Sequence, residues 1–275
     1  MGVLDGKVAI VTGSARGIGR ATAELLSEQG ASVLINDLDG DVAEQTASEI
    51  SGETAVYAGD LTAEGACDAL VQTAIDSWGK IDIIVNNAGY TIDAPIHKMS
   101  DDAFQRMLDI HTIVPFRVIR AAAPHLREPA KKEREEGTEV FRKIVNVSSI
   151  SGTMGNAGQA NYSSGKSGVV GLTKTLAKEW GQFKINVNAV AFGWIETRLT
   201  ASKDSENTME IDGQQVQLGI PDQMRGMASM LIPLGRTGTP EEAAGGVFFL
   251  CSPWANFVHG QVLNITGGQF TGMTT

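Results

Sequence analysis

Seven short runs of the chain are almost wholly apolar, and longer segments of helical period separate them. The runs are 7–12 (KVAIVT), 32–37 (SVLIND), 54–59 (TAVYAG), 81–87 (IDIIVNN), 143–149 (KIVNVSS), 185–191 (INVNAVA) and 261–266 (QVLNIT). A strand with one wet face alternates in polarity, whereas an unbroken apolar run marks a parallel strand covered on both faces. The helical segments fall at about 17–30, 39–51, 63–79, 100–127, 158–182 and 240–251. Strand and helix in strict alternation predict an α/β protein: a single doubly wound Rossmann-type domain over 1–275, its seven-stranded parallel sheet carrying helices on both faces.

Two stretches break this rhythm. Residues 127–143 (REPAKKEREEGTEVFRK) read as a charged surface connection, longer than a helix-to-strand loop requires. Residues 198–235 separate the sixth strand from the last helix, and within them Asp212-Gly213 has the flanking pattern of a tight hairpin. Following a strand's carboxyl end, this segment is expected to act as a substrate lid.

Composition narrows the function classes. A net charge of −10 argues against nucleic-acid or anionic-membrane binding. The two cysteines, Cys67 and Cys251, have neither metal-ligand spacing nor a disulfide framework, so no metal is expected. MGVLDG leads directly into the first strand, and no apolar run approaches the roughly 20 residues of a membrane span. A soluble, cytoplasmic protein is the expectation.

The stretch VTGSARGIGRA joins the first strand to the first helix. Gly13, Gly17 and Gly19 permit a tight turn and close approach to a pyrophosphate, which the free N–H groups of the helix start attract. The spacing is G-x-x-x-G-x-G rather than the common G-x-G-x-x-G. Arg16 and Ile18 lie inside this loop. Asp37, followed by Leu38, ends the second strand, where a carboxylate accepts both ribose hydroxyls and repels a 2′-phosphate. Arg16 would instead welcome that phosphate. Asp37 decides for NAD over NADP. Asp60, ahead of Leu61, either accepts from an adenine amino group or caps the next helix.

In NYSSGK, Tyr162 and Lys166 stand four apart, the spacing that stacks side chains about 5–6 Å apart on a helix. The pair either does chemistry, the ammonium drawing the tyrosine below its usual pKa of about 10, or simply decorates a helix surface. Together, TGSARGIG, NNAG at 86–89, SSISGTMGNAGQANYSSGK and the closing LGRTGTPEEAAGGVFFLCSPWANFVHGQVLNITGG resemble the classical short-chain dehydrogenase/reductases, in order and over nearly the whole chain. GTMGNAGQANY is similar to the 3-oxoacyl-[acyl-carrier-protein] reductases. Asn36-Asp37-Leu38 is closer to the 3-hydroxyacyl-CoA dehydrogenase domain of multifunctional β-oxidation enzymes.

The resemblance implies that Tyr162 is the general acid/base, that Lys166 lowers its pKa and binds the nicotinamide ribose, and that Ser149 hydrogen-bonds the substrate oxygen. It also places Asn87, Ala88, Gly89, Ile195 and Thr197 at the cofactor and Gln159 at the substrate. A homotetramer is implied, with Phe116, Val118 and Ile119 of one helix and Val169, Val170, Leu172 and Leu176 of another at its interface. Two positions depart from the family pattern. Phe192-Gly193 replaces Pro-Gly, and His111 stands where an asparagine completes the catalytic tetrad. A histidine there could donate to a main-chain carbonyl, contact a water, and titrate near neutral pH. The expected function is NAD-dependent interconversion of 3-oxoacyl and 3-hydroxyacyl thioesters. A sterol, polyol or other secondary alcohol as substrate, and a dinucleotide-binding scaffold without turnover, are the alternatives.

Overall fold

The computed structural model describes residues 2–198, 200–201, 208–211, 214–217 and 230–269. Seven strands form one parallel sheet: β1 (Val8–Val11), β2 (Ser32–Asp37), β3 (Thr54–Ala58), β4 (Ile83–Asn86), β5 (Arg142–Ser149), β6 (Ile185–Phe192) and β9 (Val262–Ile265). Their order is β3-β2-β1-β4-β5-β6-β9. Chain order reverses between β1 and β4, so their carboxyl ends open a crevice where such sheets bind ligands.

The unbroken apolar runs have a direct cause in the two cores. Ala9, Val11, Val33, Ile35, Val85 and Val145 point into a core beneath α1 (Gly17–Glu28), α2 (Gly40–Glu49) and α8 (Pro240–Cys251). Their neighbours Ile10, Leu34, Ile84 and Ile144 point into the opposite core, beneath α3 (Ala66–Trp78) and the helices of residues 101–135 and 160–180. Capping fixes several of the ends. Asp39 accepts from Val42 N at α2, and Thr239 with Glu242 makes a capping box at α8.

The helix expected at 100–127 is three pieces: α4 (Asp101–Leu108), one π-turn (Asp109–Ile113) and α5 (Val114–Glu135). The charged stretch at 127–143 is therefore not simply a loop, because α5 continues through its first half. Its Glu, Lys and Arg residues favour helix, and Pro124 and Pro129 lie on the exposed side, where the carbonyls they leave unpaired meet water. Glu133 grips the buried Arg142 through two bonds of 2.7 Å, tying α5 to the start of β5. After β5 come α6 (Ile150–Met154), absent from the sequence expectation, and α7 (Ala160–Trp180).

The expected hairpin forms. β7 (Thr208–Ile211) and β8 (Gln214–Gln217) pair antiparallel with Ile211 opposite Gln214. Asp212-Gly213 itself and most of the expected lid, 202–207 and 218–229, lie outside the described residues. The apolar surplus from which a tetramer was expected is mostly spent on the chain's own core: Val118, Ile119, Val169 and Leu176 are buried, and Phe116 alone of the seven is exposed. No described helix is long and apolar enough to cross a membrane.

The Arg142–Glu133 pair is the clearest buried ion pair at the amino-terminal edge of the sheet. Glu133→Ala leaves a buried guanidinium unpaired and is expected to destabilise the fold by about 2–4 kcal/mol in urea unfolding; a change below about 0.5 kcal/mol, as for an ordinary surface substitution, contradicts this.

Candidate active site

The loops after β1 and β4 are stitched together. Thr12 Oγ1 accepts from the backbone N–H groups of Asn87 and Ala88, each at 3.0 Å. Asn87 Nδ2 returns two bonds, to Thr12 O at 3.0 Å and Gly13 O at 2.9 Å. Glycine is required at two of these points. Gly13 has φ +62°, and a Cβ there would lie 2.7 Å from Ala88 Cα; at Gly19 it would lie 2.1 Å from Gly13 O. The start of α1 has no side-chain cap, which leaves its first N–H groups for an anion.

A cavity of about 610 Å³ opens over these loops. Gly13, Arg16, Gly17, Ile18 and Gly19 line it from the first loop, and Asp37, Leu38, Asp60 and Leu61 from the ends of β2 and β3. Asn87, Ala88, Gly89 and Thr197 line it too, whereas Tyr162 and Lys166, also expected at the cofactor, are not among its lining residues. Ile195 is not among them either, because its side chain is buried in the core and its backbone bridges to Gly238. The cavity has a further wall that sequence reasoning missed, from Tyr90 and from α4 and the π-turn through Asp102, Arg106, Asp109 and Ile110. Asp102, Arg106, Asp109 and Ile110 stand at i, i+4, i+7 and i+8, so one helical face brings them together, and only the packing of α4 on α7 shows which way that face looks.

These residues fit a dinucleotide: a tight glycine loop lining the cavity, amides at a helix start, and a carboxylate at the tip of β2. Asp37 accepts from Ala15 N at 3.2 Å. Arg16 is engaged by Asp39 in an exposed ion pair at 2.8 Å, and the guanidinium holds that carboxyl below the usual range. Asp60 takes the backbone N–H and hydroxyl of Thr62, both at 2.8 Å, so it caps its own turn and not α3, which begins at Ala66.

At the adjoining edge β5 ends in Ser149, which caps α6 by accepting from Ser151 N at 3.1 Å and whose hydroxyl acts to lower the pKa of Tyr162 on α7. Lys166, one turn further on, is buried and donates to Val147 O at 2.7 Å; its ammonium is 5.6 Å from the Tyr162 ring centroid. Lys166 is not among the groups that shift Tyr162 here. Burial pushes the tyrosine up to about 12, opposed by the Ser149 hydrogen bond and assisted by the Asp93 carboxylate. Burial also draws Lys166 down to about 7, so the ammonium is only half charged near neutrality.

His111 sits in the π-turn, its Nε2 donating to Tyr90 O at 2.8 Å and its ring edge-on to Tyr162 at 4.9 Å between centroids. Nδ1 is buried and finds no partner among the described residues. Two glycines make room for the ring: a Cβ at Gly89 would lie 2.3 Å from its Cε1, and one at Gly165 would lie 2.9 Å from its Cβ. Burial first, and then Lys166, carry the imidazole well below 6.5. The donor to the carbonyl is as expected, but the near-neutral titration is not. Gln159 does not stand alone either, since its Nε2 donates to Asp93 Oδ2 at 3.0 Å, a carboxylate that no sequence motif had singled out.

Comparison with known proteins agrees with this geometry. Residues 13–269 match the family model described as enoyl-(acyl carrier protein) reductase. A 3-oxoacyl-[acyl-carrier-protein] reductase of Thermotoga maritima is 36% identical over 268 residues, 96% of this chain and 98% of the relative. Relatives of the same name from Vibrio harveyi and Aquifex aeolicus are each 38% identical, over 97% of this chain and 98% of the relative. The chain belongs to the short-chain dehydrogenase/reductase family. It is accordingly an oxidoreductase acting on a CH–OH group, with a nicotinamide cofactor.

Because the imidazole stays neutral, wild type and His111→Asn are expected to show superimposable pH–rate profiles around neutrality. A limb near 6.5 present in wild type and absent from the variant contradicts a neutral His111.

Proposed function

We propose that the protein is an NAD-dependent oxidoreductase that interconverts 3-oxoacyl and 3-hydroxyacyl thioesters, with Tyr162 as proton donor and acceptor. The observation that carries this reading is the cluster of Ser149, Tyr162 and Lys166 at the end of β5 and on α7, together with the cavity that the glycine loop and Asp37 line. The names of the relatives support the thioester substrate.

When bound, the nicotinamide supplies or takes the hydride. Gly13, Gly19 and the first amides of α1 would hold the pyrophosphate, and Asp37 the adenosine ribose. The remaining work falls to the chain's own groups. Tyr162, pushed up to about 12, keeps its proton at neutral pH and can give it to a carbonyl oxygen. Ser149 accepts the Ser151 N–H, which leaves its own O–H to donate to the tyrosine oxygen or to a substrate oxygen. Lys166, near 7, loses and regains a proton at little cost, and that proton can restore the tyrosine. His111 contributes no charge; its ring walls one side of Tyr162.

Cofactor choice rests on Asp37, because Arg16, which lines the same cavity, is already paired with Asp39. Acetoacetyl-CoA is expected to be reduced with NADH at higher kcat/KM than with NADPH, and a panel of cyclic and polyol alcohols to turn over poorly. Asp37→Ala should narrow the NADH preference by roughly tenfold, about 1.4 kcal/mol. Wild-type preference for NADPH overturns the cofactor assignment; preference for an alcohol of the panel overturns the thioester.

A further inference from the structure

Asp93 lies on the loop after β4, four residues beyond Gly89, and is exposed. Its Oδ2 accepts from Gln159 Nε2 at 3.0 Å. A carboxylate can only accept, so it holds the Gln159 amide with its NH₂ group toward the loop and Oε1 turned inward. Oε1 then accepts from Ser151 Oγ and Asn156 Nδ2, each at 3.0 Å. Ser151 gives its backbone N–H to Ser149 Oγ at 3.1 Å, and the Ser149 hydroxyl acts on the Tyr162 phenol. One chain of hydrogen bonds thus joins an exposed carboxylate to the Ser149 hydroxyl beside Tyr162. An amide in the opposite orientation would set Oε1 against the Asp93 carboxylate and break that link.

We propose that Asp93 is a positioning residue of the active site, which through Gln159 and Ser151 fixes the Ser149 hydroxyl against Tyr162. The inference rests on the reading of Tyr162 as the proton donor. Holding the loop closed does not require Asp93, because Ala94 N donates to Gly158 O at 2.9 Å and Asn161 Nδ2 to Ile92 O at 2.8 Å. Its charge acts in the same direction as its geometry. Tyr162 faces Lys166 from its own helix, neutral His111 from the π-turn, neutral Ser149 from the end of β5, and Asp93 from the loop, whose negative charge favours the protonated phenol.

Asp93→Ala removes both the link and the charge; Asp93→Asn removes the charge and keeps an acceptor. Asp93→Ala is expected to lower kcat for acetoacetyl-CoA reduction roughly tenfold with NADH affinity unchanged, and Asp93→Asn to recover most of that loss. In both variants the alkaline fall in kcat/KM should move to lower pH, because the charge opposing tyrosinate is gone. If both variants stay within roughly twofold of wild type and the alkaline limb does not move, the proposal is overturned. Should Asp93→Ala fail to fold, Asp93→Asn still reports the limb. The side-chain amide resonance of Gln159, assigned by its loss in Gln159→Glu, gives a readout without turnover. It should shift in Asp93→Ala, and an unmoved resonance also overturns the proposal. If wild type reduces no thioester, the proposed function fails while the resonance still decides the role of Asp93.

Discussion

A lysine taken out of water with only a carbonyl oxygen to receive it sets the terms for this site. Lys166 is 4% exposed and spends its one assigned bond on Val147 O. An isolated buried ammonium is expensive, and the protein meets that expense by letting the group shed its proton near neutrality. The position is enforced from several sides. Ser148 Oγ bonds the Lys166 carbonyl, and a Cβ at Gly152 would lie 2.6 Å from the lysine's own Cβ. Deeper in, Asn86 bonds Asn146 and Asn146 bonds Thr173, a buried polar seam joining β4, β5 and α7. Such a seam fixes the register of helix on sheet, because every member left unpaired would be penalised.

His111 follows from the same constraint. With a half-charged lysine behind Tyr162, a second cation in the pocket would be repelled, and the buried ring remains neutral. The π-turn is what brings the imidazole to the Tyr90 carbonyl, and Gly89 and Gly165 are what let so large a ring enter. Replacing an asparagine by a histidine at this place is therefore a repacking shared by three segments, β4's loop, the π-turn and α7.

The strands were legible because burial on both faces leaves runs such as VAIV no polar position to confuse the pattern. The glycine loop and the Tyr162–Lys166 spacing were legible because their chemistry tolerates few residue types. What escaped was whatever depends on the third dimension. Residues 127–143 read as a charged connection, yet α5 runs on to Glu135 with Pro124 and Pro129 on its exposed face. Ile195 reads as a cofactor contact, yet it turns into the core. The burial of Lys166 escaped because spacing reveals a neighbouring cation but not its desolvation. Asp93 was invisible because its partner lies 66 residues away.

The proposed function requires that one half-buried tyrosine moves the proton while the glycine loop, independently, holds the cofactor. Stopped-flow oxidation of bound NADH by acetoacetyl-CoA, compared between wild type and Tyr162→Phe, tests it most directly. The account predicts a single-turnover rate at least roughly a hundredfold lower in the variant, with NADH affinity unchanged. A variant that turns over within about threefold of wild type, or that loses NADH binding along with rate, would contradict it.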